Sequence, residues 1–172
     1  RMSEFFPDGR LNYSENLLSG DENREAIVFY GEGRQKCSLT LAELRANVAS
    51  LSAWFLKKGI KEGDRVAALL PNCPETVIAM LATSSIGAIF TSCSPDFGEE
   101  GIIDRFGQCE PSILITCDGY GYGGKTFDIR KKVLEISKKL HSLKKRILVN
   151  HASIGDNEKF ENWEELIAEN MS

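Results

Sequence analysis

Arg65-Val66-Ala67-Ala68-Leu69-Leu70-Pro71-Asn72-Cys73-Pro74-Glu75 is the stretch on which the fold turns. After Arg65 the run is apolar without alternation, the pattern of a strand covered on both faces rather than one. Pro74 then fits the first position of a helix, where its missing N–H costs nothing, and that helix is predicted to run through Ser85. The same rhythm repeats toward the C-terminus. Residues 87–91, 112–117 and 147–149 read as strands, and 99–108 and 127–140 as the helices between them. Strands alternating with helices at this spacing imply βαβ units, so the fold class is α/β with a parallel layered sheet. On such sheets ligands sit where the strands' carboxyl ends meet the following loops. Those loops are residues 71–73, 92–98 and 118–125.

Toward the N-terminus, Gly59 and Gly63 close a long amphipathic helix with Leu44, Val48, Leu51 and Phe55 at helical spacing. Trp54 and Phe55 on it are expected to pack rather than touch a ligand. Thr40-Leu41-Ala42-Glu43 opens this helix as a capping box. Upstream, residues 26–30 read as a strand that turns through Gly31-Glu32-Gly33 toward a partner near residues 37–39. An aromatic, turn-rich opening around Phe5, Phe6 and Pro7 leads to a short helix near residues 14–18. The chain thus divides into an opening segment (1–24), an α/β subdomain (25–150) and an acidic segment with a short helix (151–172).

A chain of 172 residues holds one domain or a large piece of a bigger one. Its net charge of −4 argues against a nucleic-acid partner. Charge is segregated: Arg130, Lys131, Lys132, Lys138, Lys139, Lys144, Lys145 and Arg146 cluster, then Asp156, Glu158, Glu161, Glu164, Glu165 and Glu169 follow. Such runs read first as solvated faces, and second as a positive field for an anionic ligand. The five scattered cysteines, never spaced as C-x-x-C, fit a reducing compartment and no metal site. No leader pattern and no long apolar run is visible, so a cytoplasmic chain without membrane contact is expected.

Gly119-Tyr120-Gly121-Tyr122-Gly123-Gly124-Lys125-Thr126 matches G-x-x-x-x-G-K-T, and also G-x-G-x-x-G, between a predicted strand and a predicted helix. Glycines let backbone N–H groups reach phosphate oxygens, and Lys125 adds a full positive charge. The surroundings fit neither pattern well. The next strand ends in Asn150 rather than a magnesium-holding aspartate, and Lys144, Lys145 and Arg146 stand where a ribose-gripping acid would be. A small P-loop nucleotide hydrolase and a plain glycine-rich surface loop both remain open on spacing alone.

Longer segments carry a resemblance. Lys61-Glu62-Gly63-Asp64-Arg65-Val66-Ala67, Leu70-Pro71-Asn72-Cys73-Pro74-Glu75, and Ala79-Met80-Leu81-Ala82 with Ile86-Gly87-Ala88-Ile89 resemble acyl-CoA synthetases of the adenylate-forming kind. Arg10-Leu11-Asn12-Tyr13-Ser14-Glu15-Asn16-Leu17-Leu18, and most specifically Ser92-Cys93-Ser94-Pro95-Asp96-Phe97-Gly98, with Asp104-Arg105-Phe106 and Gln108 after it and then Asp118 to Lys125, are similar to the acetoacetate-specific branch. The resemblance implies the N-terminal subdomain of that fold. It also implies an ATP-dependent ligase in which acetoacetate and ATP, with magnesium, give an acyl-adenylate that coenzyme A then attacks. The partners it implies are acetoacetate, ATP, coenzyme A and the remainder of the same polypeptide.

Carried over by position, the family's coenzyme A contacts fall on Ser94, Pro95 and Asp96, and on Tyr122, Gly124 and Lys125. A family arginine is Tyr122 here and a second is Lys125, which exchanges a bidentate fork for a point charge. The family's ATP loop, its adenine tyrosine motif and its catalytic C-terminal lysine have no counterpart, so no catalytic residue is assigned and the isolated chain is expected to be inactive. His141 and His151 stand near no nucleophile motif and are read as surface or locally bonded residues. A non-catalytic module that binds a partner through an uncovered apolar face is the remaining alternative.

Overall fold

The computed structural model describes residues 8–32, 34–155 and 158–169. Phe5, Phe6 and Pro7 of the aromatic opening, Gly33 of the first turn and Asp156 of the acidic run lie outside the described residues. In chain order the elements begin with α1 (Tyr13–Leu17), the hairpin β1 (Glu25–Gly31) and β2 (Arg34–Thr40), and α2 (Leu41–Lys57). The alternating part follows: β3 (Arg65–Leu69), α3 (Pro74–Ser85), β4 (Ile89–Cys93), α4 (Glu99–Cys109) and β5 (Ile113–Cys117). A second hairpin, β6 (Gly119–Tyr122) and β7 (Lys125–Asp128), precedes α5 (Arg130–Lys139), β8 (Lys145–Val149), β9 (Glu161–Asn162) and α6 (Trp163–Glu169).

The sheet is parallel throughout, in the order β4-β3-β5-β8-β9. Every residue of β5 is buried, and Val66, Ala67, Ala68 and Leu69 of β3 are fully buried. Both faces of the sheet are therefore covered, as the unbroken apolar runs require. On one side α2 packs between α3 and α6; on the other α4 packs against α5. Trp54 and Phe55 lie inside the core, ring edge to ring face at 6.0 Å. Trp163, Leu166 and Ile167 join the same core from α6, so residues 161–169 extend both the sheet and its helical cover.

The segments that resemble a family have structural explanations here. Asn12 accepts from the Ser14 and Glu15 N–H groups at 3.0 and 3.2 Å, capping α1, and its amide donates to Ser85 O at 2.9 Å. The buried Ser14 hydroxyl donates to Leu81 O at 2.8 Å. Together they moor the opening segment to the last turns of α3. Arg65 donates from Nε to Cys109 O at 2.7 Å and from Nη2 to Glu110 O at 3.0 Å, closing the end of α4 over the start of β3.

The capping box forms as read. Thr40 Oγ1 accepts from Glu43 N–H at 3.2 Å, and the Glu43 carboxylate accepts from Thr40 N–H at 2.8 Å. That backbone donor first, and the Thr40 hydroxyl second, hold the Glu43 carboxyl below its ordinary value of 4.5. A depressed carboxyl stabilises the fold while ionised. Its contribution is complete above that value and is lost as pH falls through the folded-state value. Glu43→Ala should therefore lower the urea midpoint at about pH 7, and the gap to the native chain should narrow toward about pH 3. A gap that widened on acidification would contradict the cap.

Candidate functional site

The strand order places a topological switch between β3 and β5. After β3 the chain steps out to β4, and the next strand returns to the far side of β3. The loops leaving β3 and β5 then diverge and leave a crevice at their carboxyl ends. A cavity of about 500 Å³ opens there. Pro71 and Asn72 after β3, Ser94, Pro95 and Asp96 after β4, and His151 after β8 form part of its wall. The rest comes from the two hairpins: Phe29, Tyr30 and Glu32 from the first, Tyr120, Tyr122 and Phe127 from the second.

The second hairpin is shaped by residues unsuited to any other path. Gly123 and Gly124 have φ of 60° and 73°, a two-residue turn with both residues left-handed, which only glycine adopts without strain. Tyr120 and Phe127 face each other across it, their rings stacked at 5.3 Å and 19°. A Cβ on Gly119 would come within 2.5 Å of Phe127 O and 2.6 Å of Ile154 Cδ1, so only glycine lets the hairpin leave the sheet at this angle.

Asp118 fixes the base of the hairpin. Its carboxylate is fully buried and accepts three backbone N–H groups: Gly119 and Ala152 on Oδ1, both at 2.8 Å, and Ile154 on Oδ2 at 2.7 Å. This ties the β5 exit to the loop that carries His151. Arg130, at the start of α5, donates to Asp128 and reaches Gly155 O at 3.1 Å, pinning the other end of that loop. The 94–97 loop is held from α5 as well, for Lys132 Nζ donates to Pro95 O at 3.0 Å and to Phe97 O at 2.5 Å. Arg105 of α4 covers the Phe97 ring at 5.3 Å.

Chemically, the cavity pairs aromatic faces with a few polar groups. Burial first, then the Asp96 carboxylate, hold the Tyr120 phenol above its ordinary value, which keeps it a hydrogen-bond donor. Asp96 offers an acceptor on the same wall. Such a lining suits a planar, polar-edged ring with hydroxyls attached.

Four of the six residues singled out from sequence, Ser94, Pro95, Asp96 and Tyr122, lie together on this wall. Gly124 and Lys125 sit at the hairpin's tip, where Lys125 pairs across with Tyr122 and is exposed. The expected helix at 127–140 begins only at Arg130, so Lys125 lies on a strand and not at a helix's opening turn. This corrects the P-loop reading: residues 119–126 form a hairpin, and no strand–loop–helix cradle exists there. The same geometry removes the dinucleotide pattern. Phe29, Tyr30, Glu32 and His151 were not legible as wall residues, because the first hairpin reaches this cavity from a remote part of the sequence. His141 is exposed, whereas His151 meets the Phe29 ring edge-on at 6.4 Å.

Cys73, Glu75 and His151 are the one group of metal-ligand type gathered among the described residues, their donor atoms within 4.8 Å of one another. Burial, and then the Glu75 carboxylate, push the Cys73 thiol up to about 12, so it stands as a neutral thiol bonded to Thr76 Oγ1 at 3.3 Å. All five cysteines are unpaired. Among the described residues no helix is long and apolar enough to cross a membrane.

A doubly covered parallel sheet with a ligand-sized crevice at its switch point defines a ligand-binding class of α/β protein, and the comparisons give that class a family. The AMP-binding enzyme family matches residues 16–171, and the chain belongs to it. Within the family it is similar to acetoacetyl-CoA synthetases. It is 51% identical over 138 residues to the acetoacetyl-coenzyme A synthetase of Rhizobium meliloti (strain 1021), covering 80% of this chain and 21% of that protein. The Xenopus tropicalis acetoacetyl-CoA synthetase is 45% identical over 150 residues, covering 86% of this chain and 22% of its own length. The solved acetoacetyl-CoA synthetase from Streptomyces lividans superposes with a TM-score of 0.86 at 41% identity, covering 92% of this chain and 25% of that one. The chain thus spans about a fifth of the length of the curated relatives it matches.

Proposed function

We propose that this chain supplies the coenzyme A side of an ATP-dependent acid–thiol ligase that activates acetoacetate through an acyl-adenylate. The observation that carries this reading is the aromatic cavity at the switch point, whose 94–96 wall and Tyr122 belong to the segments that resemble acetoacetyl-CoA synthetases. The nucleotide end of coenzyme A suits it: an adenine to stack on tyrosine, ribose hydroxyls for Asp96 and Tyr120, and a 3′-phosphate for the tip at Gly124 and Lys125. The residues here bind and orient. Adenylation needs groups that hold ATP, magnesium and acetoacetate, and those belong to the remainder of the polypeptide in this reading. The five unpaired cysteines suit a reducing cytosol.

The test is an amide NMR titration of the chain with coenzyme A and with dephospho-coenzyme A. Coenzyme A should move the signals of residues 94–97 and 120–125. Lys125→Ala should weaken it about fivefold, as expected for one exposed charge contact. Dephospho-coenzyme A should be insensitive to that substitution. No movement at millimolar coenzyme A would remove the reading.

A further inference from the structure

Glu32, next after β1, rests on the second hairpin. The Glu32 carboxylate accepts the Gly124 N–H at 2.6 Å, and the Glu32 carbonyl oxygen lies 2.9 Å from where a Cβ on Gly121 would stand. Both contacts cross the rim of the 500 Å³ cavity, which Glu32 itself lines. Gly124 is the second of the two left-handed residues of the β6–β7 turn and lies outside the ladder, which closes with the Tyr122–Lys125 pair, so its N–H is spent on an anion from outside the hairpin. Lys125 follows it directly in the chain. An anion seated on a turn N–H beside a lysine is the arrangement a phosphoryl group takes, and in this structure a carboxylate of the chain itself fills it.

We propose that Glu32 is a resident anion that competes with the phosphomonoester of a nucleotide ligand for the Gly124 N–H, a latch that must open before the phosphate can seat. This rests on the coenzyme A reading above and adds a selectivity to it. Two negative groups cannot share one donor, so an entering phosphate must displace the carboxylate. A ligand without the phosphate leaves the latch closed. The Glu32 carboxylate then leaves Gly124 as the ligand binds, while the sheet and the second hairpin stay in place.

The experiment compares the native chain with Glu32→Gln and Glu32→Ala, titrated with coenzyme A and with dephospho-coenzyme A and followed by amide NMR. Glu32→Gln keeps the shape and removes the charge. Both variants should bind coenzyme A about three- to tenfold more tightly and change dephospho-coenzyme A by less than about twofold, since a charged hydrogen bond is roughly twice as strong as a neutral one. The Gly124 amide signal should shift in both variants before any ligand is added. Unchanged or weaker coenzyme A binding, an equal gain for both ligands, or an unmoved Gly124 amide would each overturn the latch and leave the coenzyme A reading standing. Absence of binding by either ligand to any of the three chains would overturn both.

Discussion

Asp118→Ala should lower the stability of the chain by about 3–5 kcal/mol, visible as a fall in Tm of about 10 °C or more. The carboxylate is fully buried and is the acceptor for three N–H groups, those of Gly119, Ala152 and Ile154. Alanine leaves all three without a partner, and each buried orphan donor costs about 1–3 kcal/mol before relaxation or entering water recovers part of it. Asp118→Asn separates the contributions. An amide oxygen in the Oδ1 place still accepts from Gly119 and Ala152, but its NH2 then opposes the Ile154 N–H, so Asn should fall between native and Ala, about 1–3 kcal/mol down. Urea or thermal melts read both. An alanine variant that melts within a degree or two of the native chain would show that the loop after β8 is not held from this carboxylate. The prediction bears on function as well, because the same bonds set His151 against Phe29 in the cavity wall.

The sheet was legible because burial on both faces leaves a local mark. Val66 to Leu70 and Ile113 to Ile115 are apolar without alternation, and Pro74 announces its helix. The capping box at Thr40 and Glu43 was equally local, since both partners lie within one turn. Strand ends were less so. Residues 87–91 read as a strand whose ladder occupies Ile89–Cys93, because Gly87, with φ of 72°, turns the chain before the ladder begins.

Residues 119–126 misled for a physical reason. Glycines that free N–H groups for a phosphate are the same glycines that build a tight two-residue turn, so one string satisfied both descriptions. The aromatic residues on either side of Gly123-Gly124 were the discriminating signal, for a Tyr120–Phe127 stack needs a strand opposite a strand and has no use in a phosphate loop. The cavity's other half was beyond local reading. Tyr30 and Glu32 approach Gly121 and Gly124 only because the first hairpin, some ninety residues earlier, folds over the switch point. Nothing in a hairpin's own sequence says which edge of a sheet it will cover. The segments that resembled a family most closely, 92–98 and 118–125, are the ones that leave β4 and β5, the two strands that flank β3 at the crevice.

Lys132→Met should leave the fold intact and weaken coenzyme A binding about tenfold. The lysine stands on α5, and its ammonium donates to Pro95 O and Phe97 O, the two carbonyls that flank Asp96 in the loop. Hydrogen bonds to a charged group are worth about 1.5–3 kcal/mol each when buried. Lys132 is half-buried and water replaces part of the loss, so about 2 kcal/mol for the pair bounds the effect near thirtyfold. Methionine keeps an unbranched apolar side chain of similar length on α5 and deletes the donors and the charge. The loop should then lose amide-exchange protection at residues 96–98 while the β3 and β5 amides keep theirs. The two ligands separate the causes. A loop that has lost its seat weakens coenzyme A and dephospho-coenzyme A alike, whereas a missing positive charge acting at a distance weakens coenzyme A, with its extra 3′-phosphate, more than dephospho-coenzyme A, which keeps only the diphosphate. Lys132→Arg, which retains charge and donors, should recover most of the affinity. Full affinity in Lys132→Met despite faster loop exchange would mean that the 94–96 wall does not touch the ligand, and the cavity at the switch point would lose its claim to be the coenzyme's seat.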